Sequence, residues 1–105
     1  MAPVQIAKVA DVPEGTGKTF QIGAHPIAIF NVAGAFYALA DTCSHAEASL
    51  GEGELDTDEM CVECPLHGSL FDLETGKPRT LPAYDPVATY KVWTDGDALF
   101  VDYSD

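Results

Sequence analysis

Apolar residues in this chain come in short runs broken by Gly, Pro or Asp, with no sustained helical period. A first strand is predicted over 4–9, ended by Asp11-Val12-Pro13-Glu14-Gly15. Residues 18–22 alternate polar and apolar, then turn at Gly23-Ala24-His25-Pro26. Residues 27–32 and 36–40 read as a hairpin about Ala33-Gly34. Near the far end, 87–94 and 98–103 flank Asp95-Gly96, where glycine tolerates the positive φ of a tight hairpin turn. The termini thus contribute strands and the middle contributes loops. The pattern predicts an all-β domain in which an insertion, about 41–82, interrupts one base formed by 1–40 and 83–105. Two short strands, 59–63 and 69–73, are expected inside the insertion.

Composition narrows the class. A chain of 105 residues is one domain with room for a single core. The longest apolar stretches, 27–30 and 35–40, are far too short for a membrane span. Residues 1–10 lack a basic start followed by an apolar block, so a cytoplasmic location is expected. A net charge of −12 argues against a nucleic-acid partner, because phosphate backbones need cationic surface. The acidic residues crowd at Glu47, Glu52, Glu54, Asp56, Asp58 and Glu59. They read either as a solvated loop or as a negative rim that steers docking onto a basic face.

Within the predicted insertion lie two short motifs, Cys43-Ser44-His45 and Cys64-Pro65-Leu66-His67. Each supplies one thiolate and one imidazole, with eighteen residues between His45 and Cys64. This is the donor set of a [2Fe–2S] centre in which two Cys hold one iron and two His the other. Zinc also accepts two Cys and two His, but Cys43-x-His45 is closer than its usual ligand spacing. A Cys64–His67 nucleophilic pair is a further alternative, though no third orienting group is evident.

The run Cys64-Pro65-Leu66-His67-Gly68-Ser69-Leu70-Phe71-Asp72, followed by Thr75-Gly76-Lys77-Pro78, resembles the second cluster-binding loop of the Rieske family. Cys43-Ser44-His45 resembles the first. The small size resembles the Rieske-type ferredoxins that serve bacterial ring-hydroxylating dioxygenases. The resemblance implies the Rieske fold, an antiparallel β-sandwich or partial barrel base with a cluster-binding subdomain inserted. It implies one [2Fe–2S] cluster, with Cys43 and Cys64 on the buried iron and His45 and His67 on the outer one. It also implies an electron carrier with no reaction of its own. Electrons would come from a flavin-containing NAD(P)H-dependent reductase and pass to a terminal non-haem iron oxygenase, the carrier itself being a monomer. Other clients in the family include iron–sulfur assembly systems. Small subunits of some nitrite reductases share the fold but lack the ligands. One departure is a slightly longer gap between His45 and Cys64, read as extra residues in the acidic connector 51–59.

The resemblance also bears on potential and compartment. With neutral imidazoles the oxidised centre carries no net charge, so His ligation raises its potential into a range of about −150 to +300 mV. Ser69 is expected to donate to a bridging sulfide. Phe71 stands where high-potential relatives have a Tyr hydroxyl, which predicts a low value within that range. Ionisation of the distal imidazole N–H groups should make the potential fall at alkaline pH. Those relatives also carry a disulfide across the two loops. Ala48 and Leu66 occupy the matching positions here, which fits a reducing cytosol. Leu81-Pro82-Ala83 resembles a third loop that covers the cluster. Ala46, Pro65 and Leu66 would form an apolar docking patch. Cys61 is expected to be a buried strand residue, His25 a surface residue, and Tyr90 and Trp93 to face opposite sides of their strand.

Overall fold

The unbroken apolar run Ile27-Ala28-Ile29-Phe30 exists because its strand is covered on both faces. The computed structural model describes residues 3–42, 48–66, 68–80 and 85–102. Its strands are β1 (Pro3–Lys8), β2 (Thr16–Ile22), β3 (His25–Val32), β4 (Ala35–Ala40), β5 (Glu54–Asp56), β6 (Cys61–Glu63), β7 (Leu70–Asp72), β8 (Thr89–Asp95) and β9 (Ala98–Asp102). Six form one antiparallel sheet, ordered β1-β9-β8-β4-β3-β2, which curls until its edge strands β1 and β2 approach each other. The other three form a small antiparallel sheet, β5-β6-β7.

Strand β3 divides two cores. Ile27 and Ile29 point into the curl with Val12, Ala38, Leu99 and Val101. Ala28, Phe30 and Val32 point the other way, onto Leu50, Val62, Phe71 and Leu73 of the insertion. Alternation is lost where both faces exclude water, as expected for a doubly buried strand. The hairpin about Ala33-Gly34 forms as predicted, with φ of 53° and 89° at its two central residues. Trp93 stacks on Phe100, with ring centroids 6.1 Å apart, while Tyr90 packs against the inner core. The two aromatics do take opposite faces.

Several boundaries move for identifiable reasons. The predicted turn at 23–26 contracts to Gly23-Ala24, and both His25 and Pro26 join β3. Pro26 accepts the Asp41 N–H at 3.1 Å but has no proton to return. The Asp41 carbonyl instead accepts Leu50 N–H at 2.7 Å, and the chain leaves the large sheet there. Strand β8 begins at Thr89 rather than 87, because the Val87 N–H is taken by the Gly76 carbonyl at 2.9 Å. The acidic connector is more ordered than a solvated loop. It holds a 3₁₀ turn, Leu50–Glu52, and the strand β5, which pairs with β6. Asp56 Oδ1 accepts the N–H groups of Asp58 and Glu59, both at 3.0 Å, and so shapes the turn between β5 and β6.

Candidate metal centre

Cys64 follows directly on β6, at the closed end of the β6–β7 hairpin. Its N–H donates to the Ser69 carbonyl at 2.8 Å, and its own carbonyl accepts the Gly68 N–H at 2.9 Å. These bonds fix Cys64 against Gly68 and Ser69. Gly68 has φ of 75°, a left-handed conformation that costs glycine little. The Cys64 side chain is fully buried and shares a core with Leu50, Val62 and Phe71. Two residues later Leu66 is 63% exposed, the one large apolar residue so exposed among the described residues. The chain therefore passes from a buried thiol at Cys64 to the surface at Leu66 within two residues.

Of the four predicted ligands, Cys64 alone is among the described residues; Cys43, His45 and His67 lie outside them. The same holds for Ala46 of the predicted docking patch and for Leu81, Pro82 and Ala83 of the predicted covering loop. The flanks of the first motif are described. Thr42 and Ser49 pair as an isolated antiparallel bridge on either side of 43–47. Ala48 packs against the core that contains Cys64. Ala48, Ser49 and Glu52 line one surface hollow with Pro65 and Leu66. The neighbourhoods of the two motifs thus meet, and the two positions matched to the missing disulfide, Ala48 and Leu66, share that hollow. Among the described residues no group of three or more His, Cys, Asp or Glu gathers as a rival metal site.

The sequence marks Asp41 only as the start of the predicted insertion, and the structure gives it a larger part. Asp41 is buried, and its Oδ1 accepts from Thr19 Oγ1 at 2.8 Å, Ser49 Oγ at 3.0 Å and Gly51 N–H at 2.8 Å. A carboxylate just before a ligand motif, with Ser and Gly a few residues beyond it, was the only available signal. Cys61 is buried in β6 as expected, and burial pushes its thiol pKa up. His25 is exposed on β3. Ser69 and Phe71 are fully buried beside the Cys64 turn. Of the acidic cluster, Glu47 lies outside the described residues, and Glu52, Glu54, Asp56, Asp58 and Glu59 are all exposed at the surface.

Comparison with known proteins gives a consistent picture. The Rieske [2Fe-2S] domain family matches residues 2–91. The chain is 50% identical over 103 residues to the 3-phenylpropionate/cinnamic acid dioxygenase ferredoxin subunit of Shigella flexneri serotype 5b (strain 8401), covering 97% of this chain and 94% of that protein. Among solved structures, it is similar to the ferredoxin of carbazole 1,9a-dioxygenase from Nocardioides aromaticivorans IC177. That match has a TM-score of 0.90 and 34% identity, and covers 96% of this chain and 97% of the other. A second match is to a chain in the complex of reduced oxygenase and oxidized ferredoxin of carbazole 1,9a-dioxygenase. There the TM-score is 0.85 with 35% identity, over 94% of this chain and 91% of that one.

Proposed function

Given that the chain belongs to the Rieske [2Fe–2S] family, we propose that it carries single electrons from a flavin-containing NAD(P)H-dependent reductase to a terminal ring-hydroxylating oxygenase. It is an electron carrier of a dioxygenase system, so no substrate pocket is needed. The observation that carries this reading is the Cys64 turn. A wholly buried thiol and an exposed Leu66 lie on one hairpin tip, and the flanks of the Cys43-Ser44-His45 motif meet it.

The donor set fits the group. Two thiols and two imidazoles match a Rieske centre, and Cys64 sits where water is excluded, free of any disulfide. We assign Cys43 and Cys64 to the inner iron and His45 and His67 to the outer one. When bound, the [2Fe–2S] cluster takes up and releases one electron. The protein's part is to hold the ligands, shield the sulfur side with Phe71, Val62 and Leu50, and present the imidazole side to partners. Residues 41–82 would form the cluster-binding part, and 1–40 with 83–105 the base.

Docking would use Pro65 and Leu66, with the exposed carboxylates of 52–59 adding long-range attraction. No helix among the described residues is long and apolar enough to cross a membrane. A monomer in the cytoplasm completes the reading. The test is iron and acid-labile sulfide analysis of the purified protein, expecting about two of each per chain, then NAD(P)H-driven reduction by a flavin reductase and reoxidation by an oxygenase. Protein lacking iron and sulfide, or holding a single zinc ion, overturns the proposal.

A further inference from the structure

We propose that Asp41 is a positioning residue for the ligand loops. With the strut 49–53 it sets the spacing between the two ligand pairs. This rests on the cluster assignment above.

Asp41 is 4% exposed, yet one of its oxygens accepts three hydrogen bonds, from Thr19 Oγ1, Ser49 Oγ and Gly51 N–H. A buried carboxylate is costly unless donors hold it, so such an arrangement marks a place where geometry is being enforced. The Thr19 and Ser49 hydroxyls also lie 2.9 Å from each other. The main chain joins in, through Leu50 N–H to the Asp41 carbonyl at 2.7 Å. Asp41 therefore grips the chain on both sides of 42–48, the segment that contains Cys43 and His45. Position 51 must be glycine for this approach. A Cβ there would strike Thr19 Oγ1 and come within 3.0 Å of Asp41 Oδ1.

The other end of the strut abuts the second loop. A Cβ on Gly53 would strike the Glu63 carbonyl, and Glu63 immediately precedes Cys64. Between the two contacts the chain is stiffened by the 3₁₀ turn Leu50–Glu52, which the Gly53 N–H closes on the Leu50 carbonyl at 3.0 Å. Five residues thus bear on the entry to both motifs at once. Ligands drawn from two separate loops keep a common geometry only if something outside the ligand set fixes their separation. Among the described residues Asp41 bonds to Thr19, Ser49, Leu50, Gly51 and Pro26, so its influence on the second loop runs through this strut.

The experiment uses the holoprotein and the variants Asp41→Ala, Asp41→Asn and Ser49→Ala. Three readouts are taken: the rate of iron loss to a chelator, the paramagnetic resonance line shape after reduction, and the fluorescence of Trp93, the only tryptophan. Asp41→Ala should lose iron roughly tenfold faster, with an altered line shape, while Trp93 still reports a folded base. Asp41→Asn keeps an acceptor oxygen for the same donors and should stay within about threefold of the parent. Ser49→Ala should fall between. Unchanged iron loss and line shape in Asp41→Ala and Ser49→Ala overturn the proposal, as does iron loss that rises only in step with Trp93 unfolding. If Asp41→Ala does not fold, Ser49→Ala decides on the same readouts. A parent protein without iron and sulfide sinks the cluster assignment and this inference together. A loaded parent with indifferent variants sinks this inference alone.

Discussion

Arg79 Nη2 lies 2.7 Å from Asp72 Oδ2, tying the end of β7 to the segment that leads toward 81–84. Asp72 also accepts the N–H groups of Glu74 and Thr75 through Oδ1, at 2.8 and 3.1 Å. The Arg79 hydrogen bond, with those two backbone donors, holds the Asp72 carboxyl below its usual range.

A carboxylate with a depressed folded pKa stabilises the fold above its unfolded value, about 3.9. That contribution fades as pH falls through the lower folded value. Asp72→Asn should therefore be less stable than the parent at neutral pH, with the difference shrinking below about pH 4. Denaturant midpoints across pH, read by Trp93 fluorescence, check this. A pH-independent difference would show that the charge is irrelevant.

Two glycines beside the proposed ligands should respond differently to alanine. Gly68 has φ of 75° but open space where a Cβ would go, so Gly68→Ala should cost about 1–2 kcal/mol from backbone conformation. A Cβ on Gly53 meets the Glu63 main chain, which cannot rotate away, so Gly53→Ala should cost more. Chemical denaturation of both variants measures the order, and the reverse order would contradict the packing described.

Phe71 is fully buried in the core that holds Cys64, and it has no hydroxyl to offer a sulfur ligand. The midpoint potential should fall toward the lower end of about −150 to +300 mV. Phe71→Tyr should raise it if the new hydroxyl finds a sulfur acceptor. Protein-film voltammetry provides the value, and a parent midpoint well into the positive range would refute the expectation.

Leu66 is the exposed apolar residue at the hairpin tip. Leu66→Ser should slow electron delivery to the oxygenase about tenfold, as loss of an apolar contact in a small interface would, and leave the potential nearly unchanged because no charge is added. Raising salt from about 0.05 to 0.5 M should slow delivery by the parent as well, by screening the acidic rim. Rates insensitive to salt would remove the steering role of Glu52, Glu54 and Asp56.

The hairpins were legible because their signals are local. Ala33-Gly34 between two apolar runs and Gly96 near the C-terminus each specify a turn by short-range backbone preference, although the second turn is centred on Gly96-Asp97, with Asp95 still in β8. The two Cys/His motifs were legible only as candidate ligands, since few chemistries use that donor set at that spacing and Cys64 alone lies among the described residues. Strand β5 was not. Glu54-Leu55-Asp56 has one apolar residue, and only its pairing with β6 makes it a strand.

By itself the sequence determined the all-β class, the two candidate ligand motifs and the acidic surface, because each follows from composition or from neighbours a few residues apart. Tertiary structure alone decided that β3 separates two cores, that Pro26 releases the Asp41 carbonyl to Leu50, and that Asp41 reaches Thr19 and Gly51. The hydrogen bonds among them join residues 9 to 22 positions apart, and a hydrogen bond between distant groups leaves no period in the chain to read.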